Sequence, residues 1–362
     1  MNNISIFNKL PSLSLNDNIL LLTHTDMDGS GPVVLLSMIF KNLTVVHCPN
    51  SSMSETIKNN IINNDYADRY DRIIACDISC SAEDAEIIDM NKNSEKLILL
   101  DHHKTAMSLN KYHWAVIEPD YVQGSTRYTD GNIIAITHSS GTSLIFDYLC
   151  CKTDEYGRYL IENLFNEIRT VVKDFVNIVT EYDTWDWINV FDRKTDCETL
   201  STLFSIYRSE IFEQIIIDHL RSGIIISDQD RMLLQIEASK IDEHLKCIQK
   251  YFKPAMLSLT MNNKTITYSM IYCVCNKYMP QTFDLMKTSY PDTDIYVINY
   301  GLGVSVRTTK PDIDVSQIVS MFGGGGHIGA GGFPIPAEKQ KAYLASAFST
   351  NNISAHIEDM NM

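Results

Sequence analysis

An uninterrupted aliphatic run over residues 97–100 leads directly into Asp101, His102, His103 and Lys104. A short continuous apolar run of this kind is typical of a buried strand in a parallel sheet. In open α/β sheets ligands bind outside the carboxyl ends of the strands. Because neighbouring side chains of an extended chain point to opposite sides, we expect one histidine to bind a metal and the other to face a substrate. A capped strand end with ordinary surface histidines is the alternative.

The same alternation of apolar strand and helix runs through the first third of the chain. Strands are predicted at residues 18–24, 44–48, 72–78, 97–100 and 114–118, and helices at 29–41, 54–62 and 81–90. Helices follow at 141–151, 156–180, 209–221 and 228–251. Strands return at 256–260, 265–275, 294–299 and 304–308, separated by helices at 281–289 and 315–321. The fold class predicted is α/β, with a parallel-sheet N-terminal domain, a helical bridge and a smaller α/β C-terminal domain.

Composition limits what the chain can bind. Its 362 residues are enough for two domains. With 30 Lys and Arg against 45 Asp and Glu, the net charge is −15, which does not suit a protein that tracks along a long nucleic acid. The sequence has no apolar run long enough to cross a membrane, and its nine cysteines form no Cys-x-x-Cys pair. We therefore expect a cytoplasmic protein whose partner is a small anionic substrate, with no membrane partner.

The first strand ends in a cluster of possible metal ligands, His24, Asp26 and Asp28. Spaced by two, these side chains share one face of an extended segment, and they suit a divalent cation. An EF-hand loop starting at Asp26 would need Glu at its twelfth position, where Ser37 stands. A phosphatase of the haloacid-dehalogenase type remains an alternative on this motif alone.

Two further carboxylates, Asp77 and Asp183, are also possible metal ligands. Asp77 closes the apolar run 72–76, where it could either cap the next helix or bridge two metals. Asp183 lies at the end of a predicted helix, where its charge opposes the helix dipole. This unfavourable placement favours a metal partner.

A glycine-rich segment near the C-terminus holds Gly324, Gly325, Gly326 and His327 between Phe322 and Phe333. It is not a Walker loop, since no Gly-Lys-Ser/Thr follows, and it is not a dinucleotide fingerprint, since a predicted helix and not a strand precedes it. Backbone N–H groups of glycines can approach an anion closely, so we predict a loop that grips substrate, with a flexible linker as the alternative. Arg307 could add a bidentate phosphate contact, or it could be an ordinary surface arginine.

In this order and spacing the motifs resemble the DHH family of phosphoesterases. The glycine-rich piece resembles that of the DHHA1 C-terminal domain, and the similarity extends over about residues 19–335. Within the family, the segments around residues 23–31, 101–106, 139–149 and 181–187 are most similar to the group of oligoribonucleases and cyclic-nucleotide phosphodiesterases. The resemblance argues against the dehalogenase alternative. It implies a DHH catalytic domain at 1–190, a helical linker at 191–253, a DHHA1 substrate-binding domain at 254–340 and a C-terminal helix and tail at 341–362.

The resemblance also implies roles for the predicted residues. One metal would be bound by His24, Asp26 and Asp77, and the second by Asp28, Asp77, His102 and Asp183. The cofactor would be two Mn²⁺ ions roughly 3.5–4 Å apart, with Mg²⁺ or Co²⁺ as alternatives. His103 would act on the leaving oxygen or the transition state, and Asp101 would orient a histidine. Substrate contacts would come from Lys104, Ser140, Thr142, Arg307, the glycines 324–326 and His327.

The function predicted is hydrolysis of short oligoribonucleotides or cyclic nucleotides to 5′-mononucleotides by a metal-dependent phosphodiesterase. A nucleotide-sequestering protein with weak catalysis and a pyrophosphatase-like phosphohydrolase are the alternatives. The expected partner is a short oligoribonucleotide or a cyclic nucleotide and no long nucleic acid, with a homodimer left open.

Overall fold

A computed structural model describes residues 3–49, 52–120, 128–129, 132–133, 138–189, 194–261 and 264–347. The chain divides into two compact units, Met1–Leu234 and Gln235–Met362. Each unit has its own sheet and its own apolar cores, so the predicted α/β class is confirmed. Within the described ranges, no helix combines the length and the apolar character needed to cross a membrane.

The first unit is built on a five-stranded sheet in which all strands are parallel. Its strands are β1 (Ile19–Thr23), β2 (Leu43–His47), β3 (Arg72–Cys76), β4 (Leu97–Asp101) and β5 (Ala115–Ile117). They lie in the order β2-β1-β3-β4-β5. In this order the winding of the chain reverses between β1 and β3, and doubly wound sheets bind their ligands at such a point. The topology therefore marks the carboxyl ends of β1 and β3 as the place for a site.

Helices cover both faces of this sheet because its strands are apolar on both sides. Ile19 and Leu21 of β1 face one core, and Leu20 and Leu22 face the other. The helices described in this unit are α1 (Met27–Ile39), α2 (Met53–Ile62), α3 (Asn64–Ala67), α4 (Ala82–Asp89), α5 (Gly141–Cys151), α6 (Asn166–Asp183), α7 (Asp186–Asn189), α8 (Lys194–Tyr207) and α9 (Ser209–Arg221). A short pair of strands, β6 (Tyr128–Thr129) and β7 (Asn132–Ile133), lies outside the sheet. Helices α2 and α4 contribute to one core, and α1, α5 and α6 to the other.

The helices after α6 pack with the first sheet, whereas the sequence predicts a separate linker over residues 191–253. Leu200 of α8 and Phe212 of α9 are buried in the same core as β1. The division between the units falls after Leu234. It lies inside α10 (Asp228–Ile248). Apolar contact with the first core is thus the physical reason that α8 and α9 belong to the first unit.

The second unit contains a mixed six-stranded sheet. Its strands are β8 (Lys253–Met261), β9 (Lys264–Val274), β10 (Ile295–Asn299), β11 (Gly303–Arg307), β12 (Gly325–His327) and β13 (Ala330–Pro334), in the order β12-β13-β11-β10-β9-β8. Its helices are α11 (Met279–Ser289), α12 (Val315–Ser320) and α13 (Ala337–Ala347). Phe283 of α11 shares a core with Tyr296, and Val315 of α12 shares another with Ile295, so the two helices pack on opposite faces. The last part of the predicted tail, residues 348–362, lies outside the described residues.

The glycine-rich segment contains a strand, not the loop predicted from the sequence. Its residues 325–327 form β12, which pairs antiparallel with β13. A Cβ atom added to Gly326 would lie 2.4 Å from the carbonyl oxygen of Ala330, so a side chain there would collide with the neighbouring strand. Phe322 stacks on Phe333 with ring centroids 4.8 Å apart. The two aromatic residues thus anchor the segment, as predicted.

Candidate metal centre

The predicted metal ligands of the first unit meet at one edge of its sheet. They are His24, Asp26 and Asp28 after β1, Asp77 after β3, His102 after β4 and Asp183 at the end of α6. They form two groups of three, and within each group the ligand atoms lie within 4.8 Å of one another. The groups are His24, Asp26, Asp77 and Asp28, His102, Asp183. A further group of four joins Asp77, Asp101, His102 and His103.

The first group is organised by the turn that begins α1. Asp26 is the N-cap of this helix, and its Oδ1 accepts a hydrogen bond from the backbone N–H of Gly29 at 2.9 Å. Its other oxygen, Oδ2, lies 2.7 Å from Nδ1 of His24. The same His24 nitrogen lies 3.9 Å from Oδ2 of Asp77. A common helix-start motif thus leaves one carboxylate oxygen directed at the neighbouring imidazole.

The second group is organised by the start of α5. Asp28 is buried, and it accepts hydrogen bonds from the backbone N–H groups of Gly141 at 2.6 Å and Thr142 at 3.0 Å. The positive end of the α5 dipole therefore faces this carboxylate. Nε2 of His102 lies 3.9 Å from Oδ2 of Asp28 and 3.5 Å from Oδ2 of Asp183.

Asp77 reaches both groups. Its Oδ1 lies 3.2 Å from Nε2 of His102, and its Oδ2 lies 3.9 Å from Nδ1 of His24. Its backbone φ is 60°, a conformation that is uncommon outside glycine. A Cβ atom on Gly141 would lie 2.5 Å from Cβ of Asp77, so α5 approaches this closely because residue 141 has no side chain. The local backbone is thus adapted to place one carboxylate between two clusters.

Asp101 orients His103. Its Oδ1 lies 2.7 Å from Nδ1 of His103 and accepts the backbone N–H of His102 at 2.8 Å. The His103 side chain is 54% exposed and that of His102 is 14% exposed. The prediction that the rings point to opposite sides is wrong, because their centroids lie 4.3 Å apart. The strand ends at Asp101, whose carboxylate turns the chain, so strand alternation no longer applies.

The two imidazoles differ in their protonation. The hydrogen bond that Nδ1–H of His103 donates to Asp101 is the main cause that raises the pKa of His103 to about 8. Burial lowers the pKa of His102. Burial is the largest single influence on Asp101 and works to raise its pKa, but the hydrogen bonds and charges of His103 and His102 together lower it. At neutral pH His103 therefore carries a proton, while His102 has the neutral form that binds metals.

Burial among like charges raises the pKa of two carboxyl groups. Burial first, and then the charge of Asp28, raise the pKa of Asp77 well above its ordinary value. The same two causes raise the pKa of Asp183 to about 8. At Asp26 burial is again the largest single influence and works to raise the pKa, but the hydrogen bonds from His24 and Gly29 and the charge of His24 together lower it. The carboxylates of the two groups thus repel one another.

These residues fit a pair of divalent cations. Carboxylate oxygens and imidazole nitrogens are ligands that Mn²⁺ accepts. Oδ2 of Asp77 is buried and receives no hydrogen bond from any described residue, which is costly for a carboxylate. Bound cations would supply a partner for this oxygen and positive charge to balance the carboxylates.

Three predicted substrate contacts lie near these groups, and two of them are not supported. Lys104 begins the 3-10 helix Lys104–Lys111 and is exposed. Ser140 and Thr142 are fully buried. The Ser140 hydroxyl caps α5, and Oγ1 of Thr142 donates to the carbonyl oxygen of Asp28 at 2.9 Å. Their burial contradicts a contact with substrate, and their hydrogen bonds instead fix α5 against the second group.

The second unit brings its predicted residues to one end of its sheet. Arg307 and His327 both pair with Ala330, from the two strands that flank β13. The Arg307 guanidinium carbon lies 4.5 Å from the ring centroid of Phe283. His327 is exposed, and the glycines 324–326 lead into it. The strand positions of Arg307 and His327 thus flank the same residue of β13, and the glycines lie in the edge strand β12.

A buried carboxylate behind His24 was not predicted from the sequence. Oε1 of Glu213 accepts a hydrogen bond from Oγ of Ser30 at 2.7 Å and lies 3.2 Å from Nε2 of His47. Nδ1 of His47 lies 3.1 Å from the carbonyl oxygen of His24. Helix α9 thus supports the backbone of this predicted ligand. In the sequence, the one indication of this role is that Glu213 directly follows the apolar residue Phe212.

The sheet and most of the ligands lie in a stretch that matches a known family. Residues 18–172 match the profile described as DHH family, N-terminal domain. This part of the chain is similar to a DHH domain. The match spans β1 to β5 and continues into α6, and Asp183 follows it at the end of that helix.

A curated relative extends the similarity over most of the chain. Oligoribonuclease NrnB of Bacillus subtilis (strain 168) is 27% identical over 339 residues, which cover 91% of this chain and 75% of the relative. Together with the match to the DHH N-terminal domain, this similarity relates the chain to enzymes that hydrolyse phosphoester bonds.

Solved structures with a similar course of the chain include two further proteins. The pGpG-specific phosphodiesterase PggH from Vibrio cholerae has a TM-score of 0.47 and 14% identity, covering 91% of this chain and 97% of that one. RecJ from Thermus thermophilus, solved in complex with Mn²⁺, has a TM-score of 0.45 and 11% identity, covering 98% of this chain and 57% of that one.

The raised pKa values predict that metal-free protein loses stability as pH rises. Asp77 and Asp183 take up protons on folding, so stability falls from about pH 4, their unfolded value, through the folded pKa, about 8 for Asp183. The raised pKa of His103 also makes stability fall as pH rises, in the range above the unfolded pKa of histidine. The lowered pKa of His102 makes stability rise with pH, in the range below that unfolded value. At pH 8 and a hundredfold excess over Kd, Mn²⁺ should raise Tm by about 5–10 °C.

Scanning calorimetry with EDTA or MnCl₂ at pH 5.5 and pH 8 measures this. The increase in Tm should be larger at pH 8. An increase confined to pH 5.5, or no increase at either pH, would contradict the proposed centre.

Proposed function

We propose that this chain is a Mn²⁺-dependent phosphodiesterase that hydrolyses short oligoribonucleotides or cyclic nucleotides to 5′-mononucleotides. The observation that carries the proposal is Asp77, whose two oxygens face two separate groups of ligands. A carboxylate shared between two cations is the arrangement that two-metal phosphoryl chemistry needs. The oligoribonuclease activity named for the Bacillus subtilis relative supports the substrate class.

The two groups would hold the cations. His24, Asp26 and Asp77 would bind one, and Asp28, Asp77, His102 and Asp183 the other. When bound, the cations would neutralise charge on the scissile phosphate and make water a better nucleophile. The backbone N–H groups at the start of α5 would hold the Asp28 carboxylate in place, and the support of Glu213 and His47 would fix the His24 backbone.

His103 would act on the leaving group. Since Asp101 holds its Nδ1, the proton at Nε2 is available to substrate. Water attacks phosphorus and gives up a proton to solvent, the bond from phosphorus to the 3′-oxygen breaks, and that oxygen takes the proton from Nε2, which solvent then restores. The phosphate stays on the 5′-oxygen, which gives a 5′-mononucleotide. A pKa of about 8 keeps this acid protonated at neutral pH.

Other contacts would select the substrate. Lys104 beside the cluster would contact phosphate. In the second unit, which we propose is a DHHA1 domain, Arg307, His327 and the glycines 324–326 would bind a further phosphate or base. The net charge of −15 favours a short substrate over a long one. A homodimer and a cytoplasmic location stay predictions.

Hydrolysis of a substrate panel tests the function. Diribonucleotide, a five-residue RNA, cyclic AMP, a cyclic dinucleotide, a thirty-residue RNA and pyrophosphate are each supplied with MnCl₂. We expect 5′-mononucleotides from the short RNAs or the cyclic nucleotides, at least about tenfold faster than from the long RNA, because the net charge of −15 disfavours binding of a long polyanion. Cleavage of pyrophosphate alone would overturn the proposal, and Asp28→Ala should abolish turnover of whichever diester is cleaved.

A further inference from the structure

A second exposed imidazole is held by a buried carboxylate in the first unit. Nδ1 of His138 lies 2.9 Å from Oδ1 of Asp186, and the His138 backbone N–H donates to Oδ2 at 3.0 Å. The Asp186 side chain is 5% exposed and that of His138 is 51% exposed. Both oxygens of a buried carboxylate are thus used to orient one exposed ring.

The pair repeats the arrangement of Asp101 and His103. There too Nδ1 of an exposed histidine contacts a buried carboxylate, which also accepts the backbone N–H of the same histidine. Burying a carboxylate is costly unless its hydrogen bonds compensate. In both pairs the outcome is a fixed ring with Nε2 turned away from its carboxylate.

Backbone contacts place His138 at the same edge of the sheet as the metal centre. It bridges to Asp120, just beyond the end of β5. Glu118, which lies between the end of β5 and Asp120, donates its backbone N–H to the carbonyl oxygen of Asp101 at 2.9 Å. His138 therefore lies beside the carboxyl end of β5, next to the end of β4 that carries Asp101.

The chain neighbours of the pair also belong to the centre. His138 lies two residues before Ser140, the N-cap of α5. The first backbone N–H groups of that helix donate to Asp28. Asp186 comes three residues after Asp183. Both members of the pair are thus tied to elements that hold predicted metal ligands.

We propose that Nε2 of His138 accepts a hydrogen bond from the ribose 2′-hydroxyl of a bound ribonucleotide, with Asp186 as its positioning residue. The inference rests on the proposed phosphodiesterase function and adds a residue that selects RNA over DNA. Because the Nδ1–H group donates to Asp186, Nε2 is the ring nitrogen left for a ligand, and in the neutral form of the ring it is an acceptor. Phosphate oxygens only accept, whereas the 2′-hydroxyl also donates and is the group that distinguishes RNA from DNA.

Calorimetric titration of the Mn²⁺-loaded protein with 5′-AMP and 2′-deoxy-5′-AMP tests the proposal without turnover. Wild type should bind AMP about two- to tenfold more tightly, the worth of one hydrogen bond. His138→Ala should remove this preference by weakening AMP alone, and His138→Gln, which keeps an acceptor, should retain part of it. The matched control is His113→Ala, which removes a histidine of 44% exposure before the start of β5 and should change nothing.

Asp186→Asn separates positioning from folding. The amide would turn a donor toward Nδ1, so the AMP preference should fall while the Mn²⁺ content measured by mass spectrometry stays the same. Equal weakening of both nucleotides in His138→Ala would assign the ring to phosphate and overturn the proposal, as would wild-type protein that binds both nucleotides equally or binds neither. A protein that prefers AMP but hydrolyses no diester would refute the proposed function and leave this inference standing.

Discussion

Asp77→Asn should lower kcat on a diribonucleotide by at least about a thousandfold, or about 4 kcal/mol of transition-state stabilisation. The two Asp77 oxygens face different groups of ligands, and an amide keeps only one of them as a ligand. Both proposed metal positions should therefore lose affinity together. Steady-state kinetics and metal analysis after gel filtration measure the two effects.

A second buried aspartate provides the matched control. Asp147 of α5 is 2% exposed, burial raises its pKa to about 7, and it belongs to neither group of ligands. Asp147→Asn should leave kcat and Mn²⁺ content within about twofold, a difference of about 0.4 kcal/mol. If Asp77→Asn kept a full complement of Mn²⁺ and its turnover, the shared carboxylate would be the wrong description of this site.

His103→Ala should lower kcat by about a hundred- to ten-thousandfold, the usual effect of removing a general acid, with Mn²⁺ content unchanged. The side chain is half exposed and bonded to Asp101, outside the two groups of three. His102→Ala should instead weaken metal binding, since its Nε2 faces three carboxylates.

The pH dependence of kcat adds a second test of His103. Because its pKa is raised to about 8, the acid is protonated below that pH, and kcat should fall as pH rises through it. The fall should disappear in His103→Ala. The division of labour between the two histidines would be refuted if both variants lost metal to the same extent.

The sequence predicts the first sheet and its ligands well because each signal is local. Four of the five strands, β1, β3, β4 and β5, contain a continuous apolar run, and a parallel sheet brings the residues after those runs to one edge. Asp26 and Asp77 could therefore be placed without knowledge of any contact. Asp183 comes from a helix end, and its assignment depended on the resemblance to the DHH family.

Other features depend on packing between distant segments. The His138–Asp186 pair joins residues 48 positions apart, and Glu213 meets Ser30 across 183 positions. Nothing in their local sequence indicates these partners.

Among the elements that were not predicted, α8 and β12 were missed for a different reason. Helix α8 has a mostly polar sequence with a narrow apolar stripe at Cys197, Leu200 and Leu203. Strand β12 consists of glycines and a histidine, residues with no strand preference of their own. Each is held in place by its neighbours, so its conformation follows from the tertiary structure.

Anomalous diffraction at the manganese edge, from crystals grown with MnCl₂, tests the central claim most directly. We expect two peaks roughly 3.5–4 Å apart with Asp77 as a ligand of both. One should contact His24 and Asp26, and the other should contact Asp28, His102 and Asp183. A single peak, or two peaks that do not share Asp77, would contradict the two-metal centre.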